Sequence, residues 1–234
     1  MSLSCVSFSG GSQIRWDFQA SYKWRFTSKE PHARKGSSRT ARKKRKGVKM
    51  VAYFQLQPEE AELQELADQY WQKADEKEHE LEKAAFEAGQ AIRNGDFTLA
   101  NLEAIVRWKS ERAVHYLIGN SNEKIRRVLA VATAPESTTE TAVNALQELH
   151  GVDIPVASAI LAAIYPERYT VLDFRVLEAL GHARHDVRFY EEYLAFCKRL
   201  AESNIVQPQS DLPAPTPLRT LDRALWQWTR SHTG

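Results

Sequence analysis

The stretch LHGVDIPVASAIL, residues 149–161, decides the fold. The segment before it opens on a Ser-Thr-Thr-Glu capping pattern, with Ser137 as the expected cap, and continues with apolar residues at helical spacing. Gly151 can supply the positive φ of a tight turn, and Asp153 can cap a second helix with Pro155 in its first turn. The pattern therefore predicts two short helices joined by a hairpin.

A carboxylate follows this hairpin along the chain. Residues 170–172 read Thr-Val-Leu and are expected to be extended, and Asp173 then stands where a helix begins at Phe174. The simplest interpretation of Asp173 is a helix N-cap. A carboxylate fixed in this place could also stabilise positive charge on a substrate. The residues alone leave both interpretations open.

The hairpin, the spacing and the Asp together resemble the helix-hairpin-helix DNA glycosylase superfamily, which includes endonuclease III and the adenine and 8-oxoguanine glycosylases. The family pattern is a Leu-Pro-Gly-Val-Gly turn, a helix rich in small residues, a loop, an extended apolar pair and a catalytic Asp. Here the turn reads Leu-His-Gly-Val-Asp at residues 149–153. Val171 and Leu172 match the extended apolar pair, and Asp173 matches the catalytic Asp. The close resemblance covers about thirty residues, within a domain expected over residues 96–234.

The resemblance implies a base-excision repair glycosylase that hydrolyses the N-glycosidic bond of a damaged base in DNA. Asp173 would be the catalytic carboxylate, because bond cleavage builds positive charge on the sugar, and the base must leave the stack to be reached. The resemblance also implies a K⁺ or Na⁺ ion at backbone carbonyls of the hairpin, and no other cofactor or firm metal site. The DNA phosphate would lie on the hairpin residues His150, Gly151, Val152, Asp153 and Ile154.

Two positions depart from the family pattern. Bifunctional members carry a Lys where this chain has Pro155, so we expect a monofunctional enzyme, and Lys109 could replace that amine only if the fold brings it close. Asp153 replaces the second Gly, and its carboxylate would cap the amides that should meet the phosphate. These departures leave an alternative, a catalytically inactive helix-hairpin-helix protein that binds DNA, a nucleotide or a protein partner.

The rest of the chain predicts an all-α fold. Residues 50–95 are expected to hold one long acidic helix from Pro58 to Arg93, which ends at Asn94-Gly95. Between residues 59 and 87 there are eleven acidic and three basic side chains, a run most simply explained as a solvated face. In a third hypothesis this helix binds a partner protein, and Asp173 is only a cap.

Four further side chains are candidates for the pocket or for phosphate contacts. Lys109 follows an aromatic residue in a basic cluster, and Arg175 comes two residues after Asp173. Each also has a structural interpretation, as a half-buried ring flanked by cations or as an interhelical ion pair. Arg219 and Asp222 are expected to form a structural pair at i, i+3 spacing near the C-terminus. The four candidates are Trp108, Lys109, Arg175 and Trp226.

The charge of the chain is divided unevenly. Residues 1–49 carry thirteen Lys or Arg and two Asp or Glu, a net of +11, whereas the remainder has a net of −9. The basic segment is interpreted as a disordered arm that holds phosphates, as a solvated tail, or as untranslated sequence before a start at Met50. No apolar run is long enough to cross a bilayer, so a cytoplasmic protein is expected. Two cysteines suggest neither a disulfide framework nor a zinc site, and a four-cysteine iron–sulfur cluster is excluded.

Overall fold

The computed structural model describes residues 54–182 and 186–232, so residues 1–49 and the Met50 start lie outside the described residues. Every regular element in the described part is helical, which confirms the all-α class. A 3₁₀ turn at Glu60–Glu62 precedes the α-helices. These are α1 (Leu63–Lys73), α2 (Glu76–Arg93), α3 (Leu99–Lys109), α4 (Glu111–Leu117), α5 (Asn122–Thr133), α6 (Thr139–Leu146), α7 (Ile154–Ile164), α8 (Phe174–Glu178), α9 (Val187–Glu202) and α10 (Pro217–His232).

The single long helix predicted from Pro58 to Arg93 is wrong, because the chain breaks between α1 and α2. Ala74 is extended with ψ 143°, and Asp75 begins a new helix through a capping box. The Asp75 carboxylate accepts a hydrogen bond from the Glu78 amide at 2.8 Å, and the Glu78 carboxylate accepts one from the Asp75 amide at 2.9 Å. The sequence contains this Asp-x-x-Glu capping signal, but it lies within the apolar pattern that predicts one continuous helix.

The break changes which face of α2 is buried. A continuous helix would place Leu81 and Ala84 inward, yet Leu81 is only partly buried and Ala84 is exposed. The buried face instead begins at Glu82, which is 1% exposed. The prediction of a solvated acidic face is therefore wrong at this residue. The other buried residues of α2 follow at helical spacing, and they are Ala85, Phe86, Ala88, Gly89 and Ile92.

Side-chain caps set the start of most other helices. The predicted cap Asp153 is confirmed at α7, and Thr98 caps α3. The cap of α6 is Thr138 rather than Ser137, because the Thr138 hydroxyl accepts the Thr141 amide at 3.1 Å. Asp186 caps α9, which begins at Val187.

Helix α7 lies in the core, where it packs against α2, α3 and α6. All of its residues except Pro155 are buried. The crossing with α2 is close at Gly89, where a Cβ atom would lie 2.1 Å from the Ala163 carbonyl oxygen. A glycine is therefore needed at this crossing for steric reasons, since the contact is with backbone that cannot rotate away.

We expect Gly89→Ala to lower the free energy of unfolding by about 1–3 kcal/mol, because the added methyl group must push α2 and α7 apart. Gly119→Ala is the control, since its Cβ atom would meet only the Tyr116 carbonyl oxygen at 3.4 Å. It should change stability by less than about 0.5 kcal/mol. Urea denaturation of both variants measures the difference, and equal stability would contradict the close crossing.

Candidate functional site

The hairpin forms where the sequence predicted it. Gly151 has φ +86°, and a Cβ atom there would lie 2.7 Å from the Ala113 carbonyl oxygen. Val152 is buried beneath the turn, and Ile154 begins α7 with its side chain in the core. The turn therefore needs a glycine both for its backbone angle and for its close approach to α4.

A buried asparagine holds the hairpin from the α4–α5 connection. Asn120 accepts a hydrogen bond from the His150 amide at 3.0 Å and donates one to the His150 carbonyl at 3.1 Å. The Leu149 carbonyl accepts the Val152 amide at 3.2 Å. The monovalent cation stays a prediction, and the Leu149 and His150 carbonyls of the hairpin accept hydrogen bonds from within the chain.

Asp153 acts as a cap within the hairpin. Its carboxylate accepts a hydrogen bond from the Val156 amide at 3.0 Å while the residue itself stays exposed. The negative charge thus lies at the surface of the turn where the resemblance implies phosphate binding. His150 is likewise exposed at this turn.

Three buried hydroxyl groups fix the extended segment that leads to Asp173. The Ser158 hydroxyl of α7 accepts the Leu172 amide at 2.8 Å. From α9, Tyr190 donates to the Thr170 carbonyl at 3.0 Å and Tyr193 donates to the Val171 carbonyl at 2.9 Å. The backbone before Asp173 is therefore held on both sides, which limits where the carboxylate can lie.

Asp173 has two roles at once. One carboxylate oxygen accepts the Arg175 amide at 2.9 Å, so Asp173 caps α8 as the simpler interpretation predicts. The other oxygen forms an ion pair with the Lys109 ammonium group. Both side chains are largely buried, with 14% of Asp173 and 13% of Lys109 exposed. The fold thus brings Lys109 of α3 to Asp173, and its role as a substitute amine stays a prediction.

The surroundings keep Asp173 ionised. Burial raises the pKa of the carboxyl group, but the Lys109 charge, the Lys109 hydrogen bond and the Arg175 amide outweigh burial and hold this pKa below its usual value. A carboxylate with little water around it interacts strongly with any nearby charge. Asp173 is therefore a poorly hydrated anion paired with one lysine.

Aromatic rings and arginine groups lie beside Asp173. The Arg175 guanidinium lies 4.9 Å from the ring centre of Phe174 and 4.9 Å from that of Trp226. The Phe174 side chain is 44% exposed. The Thr229 hydroxyl donates to the Arg175 carbonyl at 2.7 Å, which attaches α8 to α10. Of the four further candidates, Lys109 and Arg175 therefore contact Asp173 directly, and Trp226 contacts Arg175.

Trp108, the fourth candidate, packs inward. Its ring centre lies 5.4 Å from that of Phe86 and 5.0 Å from the Arg219 guanidinium carbon. The side chain is partly buried against the core. In this structure Trp108 is half-buried, as its structural interpretation predicts, and its ring lies on the buried Arg219 of the last helix.

A buried ionic cluster connects α2 with α10. Arg219 donates to Glu82 at 2.6 Å, and Arg223 donates to the same carboxylate at 3.2 Å. The Tyr70 hydroxyl donates to Glu82 at 3.1 Å. Burial raises the pKa of Glu82, but the two arginines outweigh burial and lower it, so the carboxylate stays ionised. Arg219 also forms the expected i, i+3 ion pair with Asp222.

Sequence reasoning missed several residues that build this site. Glu82 was assigned to a solvated face, although its i, i+3 and i, i+4 spacing to Ala85 and Phe86 could have placed it inward. Ser158 was noted only as a small residue, and Tyr190 and Tyr193 carried no recognisable signal. Their hydroxyl groups acquire partners only through the tertiary fold.

Within residues 54–182 and 186–232, no group of three or more His, Cys, Asp or Glu side chains is arranged to hold a metal ion. In the same residues no helix combines the length and the apolar character required to span a bilayer. Comparison of the chain with protein-family models, with curated proteins and with solved structures gave no match. The site must therefore be interpreted from its own geometry.

Glu82→Gln should lower the free energy of unfolding by about 3–5 kcal/mol, because it leaves two buried guanidinium groups without their shared carboxylate. Glu80→Gln on the exposed part of the same helix is the control and should change stability by less than about 0.5 kcal/mol. Denaturant unfolding at neutral pH measures both. A wild-type-like Glu82→Gln protein would show that the cluster is not coupled to folding.

Proposed function

We propose that the chain is a DNA glycosylase that hydrolyses the N-glycosidic bond of a damaged base, with Asp173 as its catalytic carboxylate. The observation that carries the proposal is the ion pair of Asp173 with Lys109, a residue 64 positions away that keeps a poorly hydrated carboxylate ionised. The hairpin at Gly151 and the spacing to Asp173 add to it.

The proposed chemistry needs such a group. As the base leaves, positive charge develops on the sugar, and a fixed anion with few competing water molecules stabilises that charge strongly. The same carboxylate can orient or deprotonate the attacking water. Asp173 is suited to the first task because its lowered pKa keeps it ionised, and three hydroxyl groups hold the backbone before it.

A capping role does not account for all contacts of Asp173. The cap uses one oxygen, and it would be equally good with the other oxygen in water, as at the exposed Asp75. Placing a lysine from α3 on the second oxygen costs desolvation of both charges. We infer that this contact keeps Asp173 ionised for its proposed role, because capping a five-residue helix does not require it.

The rings beside Asp173 suit a base that has left the stack. Phe174 exposes an aromatic side chain next to the carboxylate, and the Arg175 guanidinium lies between Phe174 and Trp226. Aromatic and guanidinium faces stack on bases of any sequence. This supports a nucleotide substrate over a partner that would need a broad apolar face.

Asp173→Asn should reduce base release by about 10²–10⁴-fold, because it removes the charge while an asparagine can still cap α8. The assay incubates the protein with duplexes that carry a panel of lesions, and then cleaves the resulting abasic sites with alkali. Asp75→Asn is the matched control, since it makes the same change at an exposed cap and should retain full activity.

The two variants also separate catalysis from stability. If Asp173→Asn folds with wild-type circular dichroism and still releases the base at the wild-type rate, Asp173 is a cap and the proposal fails. If no lesion in the panel is released by the wild-type protein, the glycosylase proposal fails for those substrates and the binding alternative gains support.

We expect base release without strand cleavage, as Pro155 at the usual lysine position suggests. Lys109 lies beside Asp173, but its side-chain nitrogen is engaged in the ion pair with that carboxylate, so we do not expect it to act as the nucleophile. Borohydride should therefore trap no covalent adduct between the protein and an abasic duplex. An adduct that disappears in Lys109→Gln, but not in the exposed Lys77→Gln control, would instead make Lys109 the nucleophile of a bifunctional enzyme.

Asp153 favours the non-catalytic alternative, in which the same fold binds DNA, a nucleotide or a protein without chemistry. Its charge lies at the turn and its carboxylate occupies the Val156 amide. Salt-sensitive duplex binding by the wild-type protein, with no base release from any lesion, would support this alternative. Asp153→Gly should then increase affinity, because it restores the family residue and removes a like charge.

A further inference from the structure

Two arginine side chains meet at one tryptophan ring close to the Asp173 segment. The Arg175 guanidinium carbon of α8 lies 4.9 Å from the ring centre of Trp226 on α10. The Arg230 guanidinium carbon, one helical turn after Trp226, lies 5.3 Å from the same ring centre. All three residues are only partly buried, so two positive charges are gathered around one aromatic ring that solvent can reach.

Contacts with the interior hold this ring and the two helices in place. The Tyr70 ring of α1 meets Trp226 edge to face, with 5.3 Å between the ring centres, and the Tyr70 hydroxyl donates to the buried Glu82. The Thr229 hydroxyl donates to the Arg175 carbonyl at 2.7 Å, so α8 and α10 are joined beside the ring. The two guanidinium groups are therefore presented on a preorganised platform, which lowers the entropic cost of binding a ligand.

The chemistry of the two side chains fits a ligand that carries phosphate. A guanidinium group donates several hydrogen bonds in one plane, and a phosphate group accepts them through two oxygens at once. The two like charges also act on each other. Burial lowers the pKa of Arg175 and the Arg230 charge lowers it further, although Asp173 and Glu178 act in the opposite direction. An anion bound at both guanidinium groups would relieve this repulsion.

The position of the pair indicates which phosphate-bearing ligand fits. In a nucleic-acid strand each sugar has a phosphate on either side, so cations that hold the strand must lie close to a carboxylate that acts on the sugar. Arg175 follows Asp173 by two residues. Its guanidinium also lies 4.9 Å from the ring centre of Phe174, whose side chain is 44% exposed. Exposed aromatic rings beside cations are typical of surfaces that bind a nucleic-acid strand.

The overall charge of the chain does not favour an anionic strand, so a local cluster of cations is required. Residues 50–234 have a net charge of −9. The hairpin turn, where the resemblance implies phosphate binding, exposes the Asp153 carboxylate. Because the phosphate backbone dominates the affinity of proteins for DNA, a binding surface needs concentrated positive charge elsewhere.

We propose that Arg175 and Arg230, held on the Trp226 ring, bind the phosphate backbone of the DNA strand that carries the target base. The choice of DNA as the ligand rests on the proposed function, whereas the paired arginines are a property of the folded chain. The strand is then held from α8 and α10, and the hairpin turn with its negative charge at Asp153 is not the main phosphate contact.

Fluorescence anisotropy of a labelled, lesion-free duplex with the full chain, measured over a range of salt concentrations, tests the contact. Arg230→Gln should weaken binding about tenfold at low salt and reduce the slope of log affinity against log salt by about 1, because one phosphate contact is lost. Arg175→Gln should act likewise and keeps the cap of α8, which uses the backbone amide. Arg230→Lys retains the charge and should restore most of the slope. Arg199→Gln is the matched control and should change neither quantity, since this exposed arginine also lies on a ring, 5.9 Å from the centre of Phe196.

A wild-type slope in Arg175→Gln and Arg230→Gln proteins that fold with wild-type circular dichroism overturns the inference, and so does a wild-type protein that binds no duplex. Binding of a nucleoside monophosphate that Arg230→Gln abolishes, without any binding of the duplex, assigns the pair to a free nucleotide and also overturns it. Base release is assayed separately. A slope that falls as expected in a protein that releases no base supports the arginine pair and rejects the glycosylase proposal, whereas base release with an unchanged slope does the reverse.

Discussion

The carboxylate of Glu82 lies between two guanidinium groups inside the protein, and this contact determines how the early and late parts of the described chain fit together. A buried charge without partners is strongly unfavourable, so α2 and α10 must adopt the one arrangement in which Glu82, Arg219 and Arg223 are all paired. Such a pairing contributes less to stability than an apolar contact of equal size. Its main effect is to specify the position of α10.

The position of α10 in turn determines the surroundings of Asp173. Thr229 attaches this helix to the backbone of α8, and Trp226 lies beside the Arg175 guanidinium. Asp222 is held on the same helix by its ion pair with Arg219. Helix α10 therefore carries both the buried ionic cluster with Glu82 and the contacts to α8 that adjoin Asp173.

Local signals made much of this structure predictable from the sequence. The hairpin glycine and the caps Asp153 and Asp173 depend on neighbours within a few residues, and they are found where the patterns placed them. The contact of Lys109 with Asp173 could not be predicted, because it depends on how α3 packs near α8. The prediction of one long helix was wrong for a different reason. The apolar residues before and after the Asp75 capping box share one broad face, so the pattern looks continuous although the helix is interrupted.

The Lys109 contact also bears on how the resemblance should be interpreted. Members with strand-cleaving activity carry an amine on the second hairpin helix, where this chain has Pro155 and a buried apolar helix. Here a basic side chain reaches the Asp173 carboxylate from α3 instead, and the two groups form an ion pair. The chain therefore has the hairpin and the Asp at the spacing of the resembled family, whereas the cation beside that Asp comes from a different helix.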